Sequence, residues 1–194
     1  MSLVPARFRY WLRLARAQGI ARRYFVVNGF DGALTTLGVL MGFYAADETP
    51  VGVVLSACLG AAIALGMSGL TSAYIAETSE RRRALMELER AMAMDLSGTP
   101  HGDAARVVPV LISLINGLAP FSLAVVIISP LALARVGLLS GNAAIPAAIG
   151  LAFCCLFLLG VYLGRVSGRF WLWSGLQTVT VAIFTALLVY WFTS

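Results

Sequence analysis

Charged residues are spaced so unevenly that they divide the chain into five long apolar stretches. Between Arg23 and Asp47 the sole charge is Asp31, and none falls between Glu48 and Glu77, between Arg106 and Arg135, between Arg135 and Arg165, or from Phe170 to Ser194. A helix rising about 1.5 Å per residue crosses a ~30 Å hydrocarbon core in about 20 residues, so each stretch is long enough. Only helices and closed barrels satisfy their backbone polar groups in lipid. The stretches lack the period-2 alternation of barrel strands. The pattern predicts an all-α integral membrane fold with five transmembrane helices, over Tyr24–Tyr44, Val51–Ala76, Val107–Ser129, Asn142–Leu163 and Trp171–Phe192.

Two polar segments complete the layout. From Glu77 to Arg106, Glu77, Glu80, Ala84, Glu87, Ala91 and Met94 keep helical spacing, so helix 2 is predicted to continue into the cytoplasm. Glu77, Glu80 and Glu87 then share one face, and Arg81 and Arg83 stand four residues from Glu77 and Glu87. The breakers in SGTPHGD precede helix 3. Residues 1–23 read as a basic amphipathic helix lying in the interface: Phe8, Trp11, Leu12 and Ala15 mark one face, and Arg9, Arg13 and Arg16 another. Residues 24–194 form the membrane domain.

Composition sharpens this picture. Charged residues make up 12% of the chain, about half the ~25% of a soluble domain, which excludes disorder and a small disulfide scaffold. Every basic residue is arginine, and 13 of the 14 lie on one side of the five spans, leaving Arg135 on the other. The positive-inside rule puts the N-terminus and the 2–3 loop in the cytoplasm and the C-terminus outside. The net charge of +5 therefore reads as topology and contact with anionic lipids, with no nucleic acid implied. Arginine without lysine, together with abundant alanine, points to a prokaryotic plasma membrane. Cys58, Cys154 and Cys155 lie within spans, His101 stands alone in a loop, and no zinc spacing, hydrolytic triad or phosphate loop is present. Neither an enzyme nor a resident cofactor is expected.

Small residues and prolines mark close approaches. Helix 1 carries Gly29 and Gly32 one turn apart and a Gly38/Gly42 step, and helix 2 carries Gly60, Ala64, Ser68 and Ser72. Such residues let membrane helices come close. On helix 2 the expectation is packing within the chain; on helix 1, packing within the chain and contact with a second copy are equal candidates. Pro120, with Asn116 and Gly117 just before it, makes helix 3 the candidate for an irregular, polar-lined segment. Five helices cannot form two equal halves, so a symmetric pathway requires a homodimer.

The residue that stands out is Asp31, about 10 Å into helix 1. A carboxylate there costs about 2.5–3.5 kcal/mol on insertion scales, and no other span contains an arginine to neutralise it. Asp31 is protonated, faces a water-filled cavity, or binds a cation. Asn28, Thr35 and Asn116 offer oxygen or amide groups, and Met41 and Met67 thioether sulfur, a mixture suited to Fe(II) or Mn(II). The Glu77/Glu80/Glu87 face is either a cation-gathering entrance or a solvated face paired with arginines.

The stretch NGFDGALTTLGVLMGFY resembles the first-helix signature of the vacuolar iron transporter family, and GMSGLTSAYIAETSERR is similar to its second helix. The resemblance implies a homodimeric exporter of ferrous iron and similar divalent metals from the cytosol, exchanging them for protons. It places Asp31 in the translocation path. Anchored on Tyr74 and Glu80, the family's second-helix methionine falls at Gly69, with Met67 two residues earlier. The carboxylate that eukaryotic members carry further up helix 2 has no counterpart in LSACLGAAIAL. The set carried forward is Asp31, Glu77, Glu80 and Glu87 as metal contacts, Asn28, Thr35, Met67 and Asn116 along the path, and a homodimer through helix 1 and its neighbours. The alternatives are a proton-coupled carrier of another small solute and a non-transporting scaffold or lipid-interacting protein.

Overall fold

The computed structural model describes residues 17–46, 50–168 and 170–193. Most of the expected N-terminal amphipathic segment falls outside them. The described residues form six helices and no strand: α1 (Ala17–Ala45), α2 (Val51–Met92), α3 (Pro100–Ile127), α4 (Ser129–Arg135), α5 (Gly141–Val166) and α6 (Trp171–Thr193). Five of them, all but α4, are long and apolar enough to cross a membrane.

The helix ends follow local chemistry. α2 closes with the Met94 N–H donating to the Glu89 carbonyl while Ala93 takes the left-handed conformation, φ 48°, a Schellman closure built on alanine where glycine is usual. Gly102 opens α3 at a point where an added Cβ would meet the Ser97 carbonyl at 2.5 Å. The predicted third span breaks at Ile128, and Pro130 serves the first turn of α4, where its missing N–H costs nothing. α5 and α6 are joined through Gly168, φ 69°.

The chain divides into two compact units, with α1, α2 and α3 contributing to both. The first comprises the described part of Met1–Phe25 and Gly66–Leu118. Its core is Ala104, Val108 and Ile112 of α3, packed by Ile20 and Tyr24 of α1. The second comprises Val26–Leu65 and Ala119–Ser194. Here Ala33, Leu37 and Leu40 of α1 join Val54, Leu55 and Cys58 of α2, Ile127 at the end of α3, and Ala144, Ala148 and Ala152 of α5 in one cluster. The four-residue alanine spacing gives α5 a shallow face onto which larger side chains close.

Two expectations about close approach are corrected. α3 stays helical through Pro120. Pro120 has no N–H to give the preceding turn, and the Asn116 carbonyl oxygen lies against Gly69, 3.1 Å from where a Cβ would be. The second concerns the small residues of α2, while α1 shows one of its two equal candidates. Gly29 and Gly32 of α1 are buried against Leu123 and Pro120 of the same chain. On α2, Gly60, Ala64, Ser68 and Ser72 are all exposed, and nothing lies within 4 Å of a Cβ on Gly60. Packing within the described residues therefore does not account for the α2 stripe.

Candidate functional site

Asp31 projects from α1 among Val26, Val27 and Phe30, which recur on one helical face. These four residues form one wall of a cleft of about 240 Å³. Leu159, Gly160 and Leu163 of α5 and Thr178 of α6 form the rest, all within the second unit. Asp31 is exposed and makes no hydrogen bond or ion pair with any described residue.

Glycine at 160 shapes the far wall. The Thr178 hydroxyl occupies the space a Cβ on Gly160 would fill, so α5 and α6 approach closely there. That hydroxyl lies 2.9 Å from the Leu156 carbonyl and 2.8 Å from the Gly175 carbonyl, and directs its proton to them. Its lone pairs remain acceptors. Among the described residues, Thr178 and Asp31 are the only lining side chains that carry oxygen.

Asn28 and Thr35 lie on α1 and are half-buried, one turn to either side of Asp31. Neither lines the cleft. Met41 is half-buried against the core of the second unit.

The remaining candidates belong to the first unit. Asn116 is buried, and its Nδ2 donates to the Gly69 carbonyl at 2.6 Å. Met67 is 58% exposed. The three glutamates do not form one equivalent face: Glu77 is buried, whereas Glu80 and Glu87 are exposed. Glu77 Oε2 lies 3.4 Å from Arg81 Nε, and Glu87 Oε1 accepts a hydrogen bond from Arg83 Nε at 3.0 Å. Both pairs have the i, i+4 spacing read from the sequence. Glu87 and, to a smaller extent, Glu80 raise the pKa of the Arg83 guanidinium. Among the described residues, no group of three or more histidine, cysteine, aspartate or glutamate side chains could hold a metal ion.

Comparison with known proteins adds breadth of similarity without a function. The chain is 29% identical over 168 residues to an uncharacterized protein of Methanocaldococcus jannaschii, covering 87% of this chain and 86% of that one. No family model and no solved structure matches it.

Sequence reasoning found the carboxylate and missed its cleft. Leu159, Gly160 and Leu163 lie in an uninterrupted apolar run, and no sequence signal pairs them with Asp31 some 130 positions earlier. Thr178 lies in SGLQTV, the one polar stretch at the start of α6.

Proposed function

We propose that the protein is a membrane transporter that exports divalent metal, Fe(II) or Mn(II), from the cytosol in exchange for protons at Asp31. In this reading it is a member of the vacuolar iron transporter family, to which its first two helices bear resemblance. The N-terminus and the α2 extension lie in the cytoplasm, the C-terminus lies outside, and the membrane is a prokaryotic plasma membrane. The observation that supports the reading is Asp31 itself, a carboxylate in a span, exposed, with no bonding partner among the described residues. Such a group in a membrane helix marks an ion or proton path.

The working unit is a homodimer. One copy offers a divalent ion a single carboxylate and one hydroxyl at this site, fewer oxygen ligands than such ions take. A second copy doubles the set through its own Asp31. The exposed small face of α2, next to α1 in sequence, offers the close approach that membrane helices use. Glu80, exposed, gathers cations at the cytoplasmic end, with Glu77 held by Arg81 and Glu87 by Arg83.

The test is uptake in proteoliposomes under an imposed pH gradient. Wild-type vesicles accumulate Fe(II) or Mn(II) and dissipate the gradient together. Vesicles that move no divalent metal under either gradient direction contradict the reading, and gradient-coupled movement of an organic solute alone favours the carrier alternative.

A further inference from the structure

In a single copy, the cleft beside Asp31 has the features of a site for a second kind of cation. Its walls are Val26, Val27, Phe30, Leu159 and Leu163, with two oxygen-bearing side chains, Asp31 and Thr178. A divalent ion requires several oxygen ligands in a tight shell. An organic ammonium needs only one counter-charge and apolar surface for its hydrocarbon body. We propose that a single protomer binds a small organic ammonium ion here, with its charge against the Asp31 carboxylate and its apolar body between α1 and α5.

Three features select this occupant. The carboxylate has no partner among the described residues, and a charge against an apolar wall is costly until an opposite charge meets it. Phe30 lines the cleft, and an aromatic ring there attracts an ammonium brought over its face. Thr178 commits its proton to main-chain carbonyls, so it sets no donor against a cation. An uncharged apolar molecule, or a lipid chain, satisfies none of the three. At about 240 Å³ the cleft has room for a ring bearing a compact ammonium group. The proposal goes beyond metal export and does not depend on it.

The probe is benzyltrimethylammonium, titrated by ligand-detected NMR against the full-length protein in detergent micelles near neutral pH, with empty micelles as blank. Neopentylbenzene serves as the uncharged analogue of the same shape. The wild type binds the cation, and Asp31→Asn weakens it roughly tenfold or more. The analogue shows no difference between the two proteins. A second variant, Leu163→Trp, fills the cleft and keeps the carboxylate; it also weakens the cation, with an unchanged melting temperature. Equal binding of the cation to wild type and Asp31→Asn overturns the proposal, as does undiminished binding to Leu163→Trp. Because binding rather than flux is read, failure here leaves metal export standing, and absence of Fe(II) flux leaves this proposal standing.

Discussion

Asn116 reaches from α3 to the main chain of α2, its Nδ2 donating to the Gly69 carbonyl at 2.6 Å. The same residue's own carbonyl rests on Gly69. One short stretch of α3 thus meets one glycine of α2 in two ways, and the missing side chain at Gly69 is what permits both.

Asn116→Ala removes the interhelical donor. Such bonds in membrane proteins contribute about 0.6 kcal/mol on average and at most about 1.7, so a loss of about 1 kcal/mol is expected in denaturant unfolding of the protein in micelles. An unchanged midpoint would show that the amide is not structural.

Gly32→Ala tests the packing of α1 on α3. An added Cβ would lie 2.5 Å from Pro120 Cα and 2.7 Å from its carbonyl oxygen. Backbone cannot yield as a side-chain tip can, and overpacking of this kind costs about 1–3 kcal/mol. Thermal unfolding reports the loss. Gly60→Ala, with open space around it, serves as the control and leaves the melting temperature of the detergent-solubilised monomer unchanged.

Ala93→Gly is expected to stabilise the protein. Ala93 sits at φ 48° in the closure of α2, where a Cβ costs about 1–2 kcal/mol. Glycine removes that cost and forfeits part of the gain through a freer unfolded chain. A net gain of about 0.5–1 kcal/mol is anticipated, read as an upward shift in denaturation midpoint.

Asp95 carries a pH dependence. Its carboxylate accepts the Ser97 N–H at 2.8 Å and the Ser97 hydroxyl at 3.0 Å, and these bonds hold its pKa below the usual carboxylate value. A group depressed in the folded state contributes stability above its unfolded pKa and loses it as pH falls through the folded one. In a carboxyl-detected NMR titration, Asp95 therefore titrates below a model aspartate. Ser97→Ala moves it part of the way back, since the backbone donor, the larger influence, survives.

Much of the helical layout was legible because lipid imposes a coarse rule. Charge-free stretches of about 20 residues announce spans, and the predicted starts at Val51 and Trp171 coincide with the observed ones. The ion pairs of Glu77 and Glu87 were legible for a similar reason, since i, i+4 spacing is local. What escaped was tertiary. Asn116 meets Gly69, 47 positions earlier, and which small residues become buried depends on what faces them. For the same reason Asp31 was visible as an isolated charge while Gly160 and Thr178, which complete its cleft, were not.

The central claim is that Asp31 carries the ion. Its most direct test is Fe(II) uptake into proteoliposomes under a pH gradient, comparing wild type with Asp31→Asn, with oligomeric state and melting temperature measured on the same preparations. The account predicts metal-coupled proton movement in wild type and its loss in a folded, equally oligomeric Asp31→Asn. Flux that persists at the wild-type rate in the variant would contradict it.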